Sequence, residues 1–103
     1  MVKRGEIWWY EHPEQGRRPY LILTRSDAVP FLSQVVAVPA SRTVRGIPTE
    51  VGLDVDDGMP TDCALSLDNI TTIRAALCTR RITTLSAQKL DEVCEALRLA
   101  VAC

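Results

Sequence analysis

The chain is short of histidine, of net charge and of long apolar runs, and its four cysteines include no C-x-x-C pair. Each shortage excludes something. No stretch approaches the ~20 apolar residues that a membrane-spanning helix requires. The opening residues, Met1-Val2-Lys3-Arg4-Gly5-Glu6, are charged but have no apolar segment behind them, unlike a secretory signal; a cytoplasmic location is expected. Cys63, Cys78, Cys94 and Cys103 are separated by 15, 16 and 9 positions, and the one histidine, His12, lies far from them. That is poor zinc spacing, and cytosolic thiols normally stay reduced. The cysteines therefore read as small apolar core residues plus a free C-terminal thiol, with no metal or cofactor implied. Asp54, Asp56 and Asp57 lack the loop pattern ending in Glu that calcium needs, and read as a solvated turn.

What remains is an ordinary globular composition: 103 residues, 47% hydrophobic and 24% charged. That length suits one domain, 1–103, around one core. The net charge of −1 hides a segregation. Residues 1–46 carry seven bases (Lys3, Arg4, Arg17, Arg18, Arg25, Arg42, Arg45) against four acids, whereas residues 47–70 carry six acids and no base. A cationic face can be built from the first half even though the whole chain does not announce a nucleic-acid binder.

The first two-thirds read as strands. Glu6–Tyr10, Tyr20–Thr24 and Gln34–Val38 are short apolar or aromatic runs bounded by turn residues, the last two of the kind buried on both faces. Pro39 and Pro48 bracket a loop over 40–47. Further strands are expected at 49–53, 63–67 and 70–73, with a turn at Asp56-Asp57-Gly58. Five or six short strands at this spacing argue for a small barrel. The period then changes: Leu90, Val93, Cys94, Leu97 and Val101 have helical spacing. A helix is expected over 87–102, capped by Ser86, stapled by Leu85 against Leu90, with Asp91 and Glu92 near its positive end.

Several segments, in order, resemble the MazF/PemK toxin family. Lys3-Arg4-Gly5-Glu6-Ile7-Trp8 is similar to its first strand, Arg18-Pro19 followed by Tyr20-Leu21-Ile22-Leu23 to its R-P and second strand, and Val36-Ala37-Val38-Pro39-Ala40-Ser41 to the strand ending in Ser or Thr. Pro48-Thr49-Glu50-Val51, the stretch Leu67-Asp68-Asn69-Ile70-Thr71-Thr72-Ile73 and the final helix follow. Each motif is weak alone; their ordered spacing is specific. The resemblance implies a mainly β fold with a C-terminal helix, the SH3-like small β-barrel shared by MazF-type and CcdB-type toxins, in a homodimer. It also implies metal-independent, sequence-selective cleavage of single-stranded RNA, blocked by a cognate, MazE-like antitoxin.

RNA carries its own nucleophile, the 2′-hydroxyl, so cleavage needs in-line positioning, help with proton transfer and donors for charge growing on the phosphorane. A well-placed donor is worth about 3–4 kcal/mol. Arginine meets two phosphate oxygens at once and stays charged. By the resemblance Arg18 is the catalytic arginine, with an extended backbone imposed by Pro19, and Ser41 supplies the family's hydroxyl. Arg17, Arg42 and Arg45 are candidates to track the RNA backbone, Thr43 to touch a phosphate or base edge, and Asn69 to read a base edge beside Asp68, which can orient an arginine. His12 has a suitable pKa for proton transfer, although the family pattern does not require it. Of the aromatic triplet Trp8, Trp9 and Tyr10, adjacent residues point to opposite faces; one tryptophan is expected in the core and one face is open to stacking. The alternatives keep the fold: a CcdB-like toxin that binds DNA gyrase without chemistry, or a non-catalytic SH3-like binding module.

Overall fold

The apolar runs become the middle strands of one bent antiparallel sheet. The computed structural model describes residues 1–103 and contains β1 (Glu6–His12), β2 (Gly16–Ile22), β3 (Gln34–Ser41), β4 (Glu50–Leu53), β5 (Cys63–Ser66), β6 (Thr71–Arg74), β7 (Cys78–Thr84) and one helix, α1 (Ala87–Val101). The strand order is β4-β5-β3-β2-β1-β7, and β6 also pairs with β3. β3 is the hinge of the architecture. It pairs with β2 through Ala37, Val38 and Pro39, with β6 through 34–37, and with β5 through Ala40 and Ser41. The sheet folds around it into a half-barrel whose end strands, β4 and β7, do not pair with each other.

Both faces of the central strands are covered, which is why they read as unbroken apolar runs. Ile7, Leu21 and Val38 join Leu65, Leu67 and the helix residues Val93 and Ala96 in the larger core. Tyr10, Ile22, Val35, Ala37 and Ile73 form a second, smaller core on the other face. Complete burial of such an aliphatic side chain contributes roughly 1.5–3 kcal/mol.

The bounds differ from expectation where pairing, not hydrophobicity, decides. β2 begins at Gly16 because Arg17 and Gly16 pair with Glu11 and His12 across the hairpin. β3 runs through Pro39 to Ser41. Residues 38–39 lie between its pairings with β6 and β5, so a strand neighbours them on one side only, and a proline without an N–H is tolerated there. β7 was not expected; it is an edge strand with no buried residue.

Helix α1 opens as expected. The Ser86 hydroxyl accepts the Lys89 N–H at 3.1 Å, and Leu85 is buried in the core against which Leu90 packs. Its first turn contains no acid, however: Asp91 and Glu92 lie further along, and Glu92 pairs with Lys89 at 3.7 Å instead of meeting the dipole. Helical residues stop at Val101, with Ala102 left-handed at φ 57° as the cap.

Candidate active site

Three segments distant in sequence meet at one mouth of the half-barrel: the start of β2, the end of β3, and the connection between β4 and β5. They enclose a cleft of about 260 Å³ lined by Trp9, Arg17, Arg18, Pro19, Ala40, Ser41, Arg42, Met59, Pro60, Thr61 and Cys63. The strand register explains the assembly. Arg18 stands opposite Tyr10 and Pro19 opposite Trp9, while Tyr20 stands opposite Pro39. Two residues further along these antiparallel strands, Ser41 comes level with Arg18.

The cleft is cationic in a specific sense. Arg17, Arg18 and Arg42 all line it, no acidic residue does, and none of the three joins a salt bridge. The Arg17 guanidinium lies 4.2 Å from the centroid of the Trp9 ring, a cation–π contact. The Ser41 hydroxyl accepts the Thr43 N–H at 3.1 Å, which leaves its own hydrogen free to donate. Cys63 borders the site as a neutral thiol, its pKa pushed up by burial and by the carboxylates of Asp62 and Asp57.

Four expected residues, Arg17, Arg18, Ser41 and Arg42, are therefore brought together. Thr43 and Arg45 lie on the exposed loop after β3 and do not line the cleft. The backbone N–H groups of Arg45 and Gly46 donate to Glu50 Oε1 at 2.9 and 3.0 Å. Asn69 ends a 3-10 turn, Leu67–Asn69, outside the cleft and donates to the Ser66 hydroxyl at 2.9 Å. Asp68 orients no arginine; it accepts from the Thr49 hydroxyl at 2.6 Å. His12 lines a different cleft, with Tyr10, Glu14 and Arg74 among others. Its Nδ1 accepts the N–H groups of Glu14 and Gln15 at 3.0 and 3.1 Å, so it holds the β1–β2 turn.

The aromatic triplet divides as expected, and one further contributor was not named from sequence. Trp9 is the tryptophan in the cleft, whereas Trp8 packs against the smaller core and donates through Nε1 to Glu6 Oε1 at 3.0 Å. The contributor not named is the wall Met59-Pro60-Thr61, set in place by Gly58, whose φ of 94° favours glycine and whose missing side chain leaves room for Thr83. At the start of β1, Glu6 links this strand to β7 through Arg81. Burial raises its pKa, but hydrogen bonds from Trp8 and the Lys3 N–H, with the Arg81 guanidinium at 3.2 Å, outweigh this and hold it below the usual carboxylate value. Nowhere do three or more His, Cys, Asp or Glu side chains gather as metal ligands.

Residues 3–101 match the family of PemK-like, MazF-like toxins of type II toxin–antitoxin systems. The chain belongs to this family. A probable endoribonuclease, MazF2 of Mycobacterium tuberculosis, is 40% identical over 103 residues, covering 99% of this chain and 100% of that protein. Among solved structures, the M. tuberculosis toxin MazF-mt6 superposes with a TM-score of 0.86 at 34% identity, covering 94% of this chain and 96% of that one. A mycobacterial endoribonuclease solved with its cognate antitoxin shares the fold, with a TM-score of 0.89 at 24% identity over 99% and 96% of the two chains. The half-barrel with one C-terminal helix is thus the MazF fold, and the gyrase-binding alternative is not supported. No helix of this family member is long and apolar enough to cross a membrane.

Proposed function

We propose that this MazF-family toxin is an endoribonuclease that cuts single-stranded RNA at a short sequence, by attack of the 2′-hydroxyl on the adjacent phosphate. It acts as one toxin domain in a cytoplasmic homodimer that a cognate antitoxin silences. The observation that carries this reading is the cleft, where Arg18 and Arg42, neither with a carboxylate partner, meet a serine hydroxyl whose hydrogen is free. Such a donor set fits an oxyanion of high charge density, and it offers no carboxylate or imidazole to a divalent cation.

In this reading the Arg18 fork spans two oxygens of the scissile phosphate, and its charge is worth most as the phosphorane forms. Ser41 donates to an oxygen of the same phosphate or to the 2′-oxygen. Arg42 holds a neighbouring phosphate, and Thr43 and Arg45 continue the polar surface along the loop that follows. Attack forms the 2′-oxygen to phosphorus bond and breaks the bond to the 5′-oxygen. The 2′-hydroxyl gives up its proton to solvent, the departing 5′-oxygen takes one up from solvent, and the products are a 2′,3′-cyclic phosphate and a 5′-hydroxyl. The surface supports the dimer: Phe31 is 86% exposed, and Leu32, which follows it and shares a shallow apolar cleft with Val36, is exposed too, surface of the kind that partners cover.

The test is a short RNA containing the mapped cleavage site, with and without a 2′-deoxy substitution at the nucleotide that supplies the nucleophile. The all-ribose strand is cut in the presence of EDTA and the substituted strand survives. Cleavage of both strands would rule out 2′-hydroxyl attack.

A further inference from the structure

Arg17 and Arg18 are neighbours in sequence but are not equivalent in space. Alternation along β2 places Arg17 on the Trp9 face of the hairpin and Arg18 on the Tyr10 face. Arg18 joins no side-chain hydrogen bond, ion pair or cation–π contact, whereas the guanidinium carbon of Arg17 lies over the Trp9 ring, 4.2 Å from its centroid. A group that only neutralises phosphate needs charge and reach, not a fixed plane. Met59 and Pro60, which line the same cleft, offer apolar surface rather than further charge. At about 260 Å³ the cleft is below the roughly 300–1,000 Å³ of pockets for drug-sized ligands, a volume that can hold one nucleobase. Unpaired RNA bases are held in this way, on aromatic rings and on guanidinium planes.

We propose that Arg17, covered on one side by Trp9, is the stacking platform for one unpaired nucleobase next to the cleaved phosphate, and is not a phosphate contact. The inference rests on the endoribonuclease reading above and assigns the Trp9–Arg17 pair to substrate specificity, while Arg18 and Ser41 serve the chemistry. Trp9 covers one side of the Arg17 guanidinium, and the other side is the one offered to a base. Lysine would preserve the charge of Arg17 but has no planar face to offer.

The test uses an RNA bearing the mapped site, made uncleavable by 2′-deoxy substitution at the scissile nucleotide. Flanking bases are removed one at a time to give abasic positions, and Kd is measured for wild type, Arg17→Lys and Arg17→Ala. In wild type one abasic position weakens binding on the order of tenfold, the size of a lost base stack. In both variants that penalty disappears, and the salt dependence of binding stays near that of wild type. Arg17 is exposed, so these variants are not expected to unfold. An Arg17→Lys protein that keeps wild-type affinity and the full abasic penalty would overturn the proposal and make Arg17 a phosphate contact. RNA that is cut normally, with equal abasic penalties in all three proteins, would defeat this inference alone. Failure of wild type to cut RNA at all would defeat the nuclease reading and this one with it.

Discussion

A phosphate seated between Arg18 and Ser41 would meet a two-pronged cation from one strand and a hydroxyl donor from the next. Arg18→Ala is therefore expected to lower kcat by roughly 10²–10³-fold, as loss of one preorganised donor does. Its exposed position leaves thermal stability unchanged, which a melting curve checks. Ser41→Thr should retain activity and Ser41→Ala should lose part of it, because the hydroxyl and not the side-chain shape is used. Glu6 gives a prediction about stability. Its native pKa is depressed, so its contribution is present above the usual carboxylate pKa and is lost as pH falls through the native value. Denaturant titrations from neutral pH into the acid range should show this decline in wild type and a weaker one in Glu6→Gln. Arg18 and Ser41 were legible because Arg18 opens one motif of recognisable order and Ser41 ends another. The Trp9–Arg17 stack was not, since a diagonal contact across a hairpin depends on the register Trp9↔Pro19 and Glu11↔Arg17 rather than on either residue alone.

At the scale of elements, two local devices hold the site in place. The Ser86 cap starts the helix that closes the larger core, and Ser86→Ala should cost about 1 kcal/mol. For a domain of this size that corresponds to a melting temperature lower by roughly 4–8 °C. Gly58→Ala should cost more. It would place a side chain at φ 94° and drive a Cβ into Thr83, whose hydroxyl donates to the Asp57 carbonyl at 2.9 Å. Because Met59-Pro60-Thr61 follows directly, the variant should show both a lower melting temperature and weakened RNA binding; an unchanged Kd would mean that the wall does not shape the site. The buried strands and the helix were readable from periodicity. β7 was not: Arg80 and Arg81 sit in its middle, Ile82 is its one residue packed on the larger core, and its place depends on Glu6 reaching Arg81 across the sheet. An edge strand held mainly by backbone pairing and polar contacts, with only Cys78 and Ile82 packed on the cores, leaves little hydrophobic trace.

For the whole molecule, charge is arranged rather than abundant. A net charge of −1 coexists with a cleft that three arginines line and no carboxylate enters; of the acids of 47–70, Glu50, Asp54 and Asp57 accept from backbone N–H groups and Asp68 from the Thr49 hydroxyl. Asp54 and Asp57 cap the 3-10 turn Val55–Asp57, and Glu50 accepts from the loop after β3. The fold class was legible from strand spacing and the change to helical period. The closure of distant segments 17–18, 41–42 and 59–61 into one mouth was not, since it follows from how β3 divides its length among three partners. The central claim is that this mouth cuts RNA without a metal ion. Purified toxin, free of antitoxin, incubated in EDTA with a long single-stranded RNA beside Arg18→Ala tests it most directly. The account predicts fragments ending at a short recurring sequence with wild type and intact RNA with the variant. Intact RNA from folded wild type, or equal cutting by both proteins, would contradict it.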